Sequence, residues 1–206
     1  MNTRQSRIYL ASQSPRRREL LKQIGIHFDP LLLRADARRP VDVDEAPHPD
    51  ESPEIYVQRL SLEKAQFGFN VLKFRHLQQL PVLAADTTVT LDGKIFGKPD
   101  NAEHAAAMLR ELSGREHQVM TAVAVAMGDR VEALLSTSTV KFTQLGEERI
   151  KRYLQSHEYA DKAGGYAIQG QAGAFIEHIT GSYSGVMGLP LFETVQLLRS
   201  FGYPAP

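Results

Sequence analysis

The sequence predicts an α/β layered fold on a mixed sheet, and three observations carry that prediction. Short apolar runs suited to buried strands are interspersed with longer segments of helical period. Several of those runs are joined by tight-turn signals such as Asp92-Gly93, which a wholly parallel sheet would lack. The chain has 206 residues, 42% hydrophobic and 23% charged, enough for one well-buried domain of ordinary soluble composition.

The elements follow in order. Ile8 to Ala11 is a short buried strand. Ser14-Pro15 opens a helix, Ser suiting the N-cap and Pro the first helical position; Leu20, Leu21 and Ile24 form its apolar stripe and Gly25 stops it. Phe28 to Leu33 is a second strand, and the Pro-, Asp- and Glu-rich run from Arg34 to Pro53 is an exposed loop. Ser52-Pro53 starts a long helix through about Leu77, with Ile55, Leu60, Leu62 and Ala65 among its apolar positions. Val82 to Ala85 is a buried strand ending at Asp86; Thr88 to Leu91 continues it and Lys94 to Phe96 returns across the Asp92-Gly93 turn. Asp100 or Asn101 caps a helix carrying Ala105, Met108, Leu109 and Leu112, which ends at Ser113-Gly114. Val119 to Met127 and Val131 to Phe142 are two paired strands, and Glu147 to Ser156 is an amphipathic helix. A Gly-rich loop from Lys162 to Gly173 precedes a strand at Ala174 to Ile179, and Pro190 to Phe201 closes the chain as a helix. With no internal repeat and no break in composition, residues 1–206 form one domain, with two lobes around a cleft.

Composition excludes several functions. Lys+Arg 24 balances Asp+Glu 24, so a duplex nucleic-acid binder, which carries a basic surplus, is disfavoured. A balanced total still allows a local basic pocket for a small anion. Without cysteine there is no disulfide, thiolate nucleophile or cysteine-ligated zinc. No apolar run approaches the roughly 20 residues of a membrane span, and the polar start from Met1 to Arg7 does not resemble a signal peptide. The expected location is the cytoplasm.

Four segments carry chemistry. In Ser12 to Arg18 (SQSPRRR) a strand gives way to a helix, so free backbone N–H groups and the positive end of the helix dipole converge. Arginines there are opposed by the dipole unless an anion occupies the spot, and guanidinium forks hold phosphate oxygens in pairs. The plain alternative is a solvated basic turn pairing with acids such as Glu19. Asp86 follows a buried strand, where it can hold a divalent cation or deprotonate a water, or merely cap a turn. The hairpin carries Lys98 of Gly97-Lys98-Pro99 back towards Asp86 and Thr87-Thr88. Lys64 lies on an amphipathic helix, where a surface lysine is the common case, and the acidic run Asp42 to Glu45 is a solvated loop or a source of metal ligands. In Asp161 to Gly170 (DKAGGYAIQG) the glycines permit close backbone approach to a ligand, and Gln169 offers a donor and an acceptor to a base edge.

Other signatures fail. The segment Gly93 to Lys98 is one residue short of a P-loop and meets Pro99; there is no G-x-G-x-x-G; and His157-Glu158 meets Asp161 where a zincin needs its second His. Gly181 to Gly185 has Tyr183 where a nucleophile elbow needs serine.

Taken together, the segments resemble the Maf family of nucleotide pyrophosphatases, whose fold is like that of inosine triphosphate pyrophosphatases. The matching blocks are Leu10 to Arg17, Glu63 to Ala65, Ala85 to Thr87, Gly97 to Pro99, Leu112 to Gly114, His117 to Thr121, Asp161 to Gly164, Ile168 to Gly170 and Val186 to Pro190. They span nearly the whole chain, singly weak and jointly specific. The resemblance implies that Asp86 is the proton acceptor and that Ser12, Arg17, Lys64 and Lys98 line the triphosphate site. It implies that Arg16, Thr87 and Gln169 govern substrate choice, as in the dTTP/UTP pyrophosphatase branch; the 7-methyl-GTP branch carries Trp, Gln and Glu there. It further implies a divalent cation, Mg²⁺ or Mn²⁺, held by Asp86 and by Glu45, with Asp44 and Glu51 as alternatives in a loop longer than is usual for the family. A homodimer is the family expectation.

The reaction so implied is metal-assisted attack of water on the α-phosphate of dTTP or UTP, releasing pyrophosphate. A broader activity on modified nucleotides would use the same phosphate-site residues. A non-catalytic nucleotide-sensing regulator of septum formation is the alternative from another class; a sensor would need no water-activating Asp86.

Overall fold

The computed structural model describes residues 7–33 and 43–206. Most of the polar start and, in the long loop, residues 34–42 with Asp42 lie outside the described residues.

Seven strands form one mixed sheet. β1 (Ile8–Leu10), β2 (Phe28–Pro30) and β3 (Val82–Leu91) run parallel, in the order β2-β1-β3. β5 (Glu116–Met127), β6 (Arg130–Phe142) and β7 (Ile176–Thr180) continue the sheet antiparallel. The short β4 (Lys94–Phe96) folds back on β3 through the turn at Asp92 and Gly93, both at positive φ.

Strand period sorts the core. Leu83 and Ala85 pack with Ile8, Leu10, Leu20, Leu21, Leu197 and Leu198, beneath α1 (Pro15–Gln23) and α6 (Leu191–Ser200). Val82 and Ala84 instead meet Ala65, Phe69 and Leu72 of α2 (Pro53–Phe74). Phe69 is 1% exposed, and burying a side chain of that size stabilises the fold by about 1.5–3 kcal/mol. α3 (Ala102–Leu112) and α4 (Glu147–Leu154) cover a further cluster built on Val89, Phe96, Phe142 and Phe175.

Five expectations change. Ile55 is exposed, because the buried stripe of α2 runs through Val57, Leu60, Ala65, Phe69 and Leu72, and Ile55 lies about 200° around the helix from Val57. α2 also ends at Phe74, before Leu77. The Gly-rich segment contains two short 3₁₀ turns, Ala163–Gly165 and Gln171–Phe175, and a helix not foreseen, α5 (Tyr183–Met187), is capped by Ser182, whose hydroxyl accepts from Gly185 N at 3.0 Å. Most consequential, Asp86 does not end a strand. β3 is continuous to Leu91, and Asp86 lies near its middle. Among the described residues, no helix is long and apolar enough to cross a membrane.

His117 supplies a test of the core. It is 2% exposed, its Nε2 lies 2.7 Å from the Tyr166 hydroxyl, and its ring stands edge-on to Phe142. Burial pulls its pKa from 6.5 down to about 4. Between those values the unfolded chain binds a proton that the folded chain does not, so stability is full above pH 6.5 and declines as pH falls towards 4. The loss reaches roughly 3 kcal/mol by linkage. The Tm of His117→Gln is expected to fall less steeply from pH 7 to pH 4; an unchanged slope would assign the acid sensitivity elsewhere.

Candidate active site

A gap in the sheet places the site. β5 pairs with β3 along one edge from Val82 to Thr90. On the opposite edge β1 pairs only with Val82 and Leu83, while β4 pairs with Val89 to Leu91. Ala84 to Thr88 are therefore left open on that side, with the end of β1 at one border and the end of β4 at the other. Asp86 and Thr87 lie in this window; Ser12 to Arg17 and Gly97-Lys98 leave the two flanking strands beside it.

Alternation along β3 sends Asp86 and Thr87 to opposite faces. Asp86 turns to α2, where Lys64 Nζ donates to its Oδ1 at 2.8 Å. The same ammonium is 2.6 Å from Glu45 Oε1, and Lys98 Nζ is 3.9 Å from Glu45 Oε2. The side chains of Lys64 and Asp86 are 16% and 14% exposed, against 50% for Glu45 and 60% for Lys98. The inner pair is therefore shielded from solvent screening and the outer pair forms the mouth. Burial raises the Glu45 pKa, but Lys64, followed by Lys98 and Arg17, outweighs it and holds the carboxyl below its ordinary value.

Thr87 turns to the other face. Arg17 donates from Nη2 to Thr87 Oγ1 at 3.1 Å, from Nη1 to Ser12 Oγ at 3.3 Å and from Nε to the Gly188 carbonyl at 2.7 Å. Thr121 Oγ1 lies 3.0 Å from Thr87 Oγ1 and 2.8 Å from the Gly185 carbonyl. A carbonyl only accepts, so the single Thr121 proton goes to Gly185 and the Thr87 hydroxyl donates to Thr121. Gly188 has φ 112°, a conformation suited to glycine, which aims its carbonyl at Arg17. Arg17 is half-buried; desolvation lowers its pKa and Asp86 raises it. Arg16 donates from Nε to the Met187 carbonyl at 3.3 Å, leaving the rest of its guanidinium available. Burial lowers the Arg16 pKa, with Glu19 opposing.

The loop holding Glu45 is latched to α2. Arg59 donates to Glu51 Oε1 at 2.7 Å and Oε2 at 2.9 Å, and to the carbonyls of Asp44 and Ala46. Tyr56 donates its hydroxyl to the Glu45 carbonyl at 3.0 Å. Burial, with Asp86 and Glu45, pushes that phenol up to about 12. Glu51 is thereby engaged by Arg59, and Asp44 Oδ1 accepts from Ala46 N at 2.9 Å. Of the three acids, Glu45 is the one whose carboxylate meets Lys64.

Gln169 stands apart. It is exposed, and its amide makes no hydrogen bond among the described residues. Its loop does reach the window, because Gly164 N donates to the Gly97 carbonyl at 3.0 Å. Lys162, on the same loop, has its pKa lowered by burial and then by Arg16, with Lys98 adding. Thr121, Arg59, Tyr56 and Lys162 are thus site-building residues that the sequence reading did not single out. Thr121 and Lys162 each lie in a block that carries the family resemblance; Arg59 and Tyr56 carry no signal in the sequence.

Five cations, Arg16, Arg17, Lys64, Lys98 and Lys162, surround two carboxylates, Asp86 and Glu45. That balance suits a polyanion. Among the described residues no cluster of three or more His, Asp or Glu side chains could hold a metal alone. Two carboxylates nonetheless converge on one cationic centre, now the Lys64 ammonium. Magnesium is commonly held by one or two carboxylates plus substrate phosphates and water, so this donor set fits.

Comparison with known proteins identifies the family. A family model described as Maf-like protein matches residues 7–201. A dTTP/UTP pyrophosphatase of Aromatoleum aromaticum is 56% identical over 201 residues, covering 97% of this chain and 98% of the relative. One from Nitrosomonas europaea is 57% identical over 195 residues, covering 95% and 94%. Another, from Chromobacterium violaceum, is 50% identical over 206 residues and covers all of both chains. Among solved structures, the Ham1 protein of Staphylococcus aureus aligns with TM-score 0.51 and 14% identity, over 95% of this chain and 97% of that one, a likeness of fold alone.

Proposed function

The chain belongs to the Maf-like protein family, and from that premise we propose that it hydrolyses dTTP and UTP to the monophosphates and pyrophosphate. The observation that carries the reading is Asp86, held by Lys64 inside a ring of cations at the open window of the sheet. Asp86 takes the proton of the water that attacks the α-phosphorus, and the pyrophosphate leaves with the bonding electrons. Lys64 and Lys98 neutralise the phosphate chain. Arg17, with three of its five N–H donors used inside the protein, contributes a fixed charge and sets Ser12 and Thr87. A divalent cation held by Asp86 and Glu45 would supply charge neutralisation at the phosphates. The reading also places the enzyme in the cytoplasm as a homodimer, a state that light scattering on the purified protein checks. Turnover itself separates this reading from a nucleotide-sensing regulator.

Base choice falls to Arg16, Thr87 and Gln169. A pyrimidine with a carbonyl–NH–carbonyl edge satisfies both groups of the Gln169 amide. A carboxylate there would face carbonyl oxygens with no proton to offer, costing roughly 1–3 kcal/mol. Gln169→Glu is therefore expected to lower kcat/KM for UTP by about tenfold to a few hundredfold, with kcat falling less. Kinetics of parent and variant decide this; an unchanged UTP rate removes Gln169 from base recognition.

A further inference from the structure

Glu158 lies outside the phosphate site, and the described mechanism does not use it. Its Oε2 accepts from Gln171 N at 2.9 Å and its Oε1 from Ala172 N at 3.4 Å. These are the opening N–H groups of the 3₁₀ turn Gln171–Phe175, whose N-cap residue Gly170 has no side chain to satisfy them. Gly170 has φ −107°, within reach of any residue, so its backbone does not demand glycine. A Cβ at Gly170 would nevertheless meet the Glu158 carboxylate, which would have to shift to admit it. The carboxylate thus lies against the residue that joins Gln169 to the turn.

The same few residues grip the loop from its other side. Tyr153 donates its hydroxyl to the Gly165 carbonyl at 3.3 Å, and burial followed by the Glu158 charge raises its pKa. Glu158 is itself tethered: its N–H donates to Ser156 Oγ at 3.2 Å, and that hydroxyl donates to the Tyr153 carbonyl at 2.6 Å. Gly170 N donates to the Ala167 carbonyl at 3.1 Å. Gln169 therefore projects from a turn fixed on both sides, its amide free.

We propose that Glu158 is a positioning residue for base recognition: its carboxylate clamps the amides of Gln171 and Ala172 and so fixes where the Gln169 amide points. The proposal rests on the base-reading role given to Gln169. Without the clamp, the two N–H groups turn to water and the Gln169 turn loses its anchor. The amide is then presented over a range of positions. The loss should fall on pyrimidine binding and spare the chemistry at Asp86.

The test uses the full chain, with Glu158→Ala, Glu158→Gln, Gln169→Ala and the Glu158→Ala, Gln169→Ala double variant. Steady-state kinetics on UTP and GTP are measured alongside amide hydrogen exchange. Glu158→Ala is expected to lower kcat/KM for UTP by roughly ten- to a hundredfold, mostly through KM, and to change GTP by no more than about twofold. Exchange at Gln171 and Ala172 should quicken. Glu158→Gln, which keeps an acceptor, should recover most of the loss, and the double variant should be little worse on UTP than Gln169→Ala alone. Should Glu158→Ala not fold, Gly170→Ala, which pushes a methyl group at the carboxylate, gives the same selective loss. Equal losses on UTP and GTP, a fall confined to kcat, or additive losses in the double variant would overturn the proposal. If Gln169→Ala itself keeps the full UTP preference, the proposal falls with the base-reading role; faster exchange with preference lost only in Gln169→Ala refutes the positioning role alone.

Discussion

Asp86→Asn is expected to lower kcat on dTTP by about 10²–10⁴-fold, the usual consequence of losing a general base. Asparagine has nearly the same shape, and its carbonyl oxygen can still accept from Lys64, whose ammonium lies 2.8 Å from Asp86 Oδ1. The strand should therefore stay in register with Ala122 of β5, and a thermal midpoint close to the parent's would show that the fold is intact. What the amide cannot do is take a proton from water or supply a full negative charge to a cation. The loss should appear in kcat and kcat/KM together, with KM little changed, because the cations that hold the phosphates remain. If the purified variant hydrolyses dTTP within a few-fold of the parent rate, Asp86 is not the base.

Removing divalent metal is expected to abolish activity, and adding Mg²⁺ or Mn²⁺ to restore it. The basis is the pair of carboxylates, Glu45 and Asp86, that meet at a single cationic centre. A substrate carrying four negative charges adds the remaining oxygen ligands. Glu45→Ala should raise the concentration of metal needed for half-maximal rate by tenfold or more, losing one of two carboxylates. Asp44→Ala and Glu51→Ala should not act in this way; Glu51 serves by anchoring the loop through Arg59. Activity that survives thorough chelation would remove the metal. A crippled Asp44→Ala or Glu51→Ala beside a silent Glu45→Ala would transfer the metal role to another acid of the loop.

What the sequence made legible follows from local chemistry. Pro15 at a first helical position and Asn101 at an N-cap mark helix starts, Asp92-Gly93 marks a hairpin, and apolar runs mark β3, β5 and β6. Asp86, Lys64 and Glu45 are site candidates in the sequence, and the structure brings all three together. The remainder depends on long-range closure. Thr121 matters because the register sets it opposite Thr87, and register is a property of two strands. Arg59 and Tyr56 matter because the loop of Glu45 folds back on α2, which no spacing announces. Asp86 was expected to end a strand because the apolar run stops there; β3 continues because Thr88, Val89 and Thr90 still pair with β5.

The central claim is tested most directly by pyrophosphate release from the purified, metal-supplied protein, measured as kcat/KM on dTTP, UTP, GTP, ATP and 7-methyl-GTP. The account predicts that dTTP and UTP each yield their monophosphate and pyrophosphate at least about tenfold more efficiently than any of the three purine nucleotides, the margin a base-reading amide can supply. Equal rates on UTP and 7-methyl-GTP, or release of phosphate in place of pyrophosphate, would contradict it.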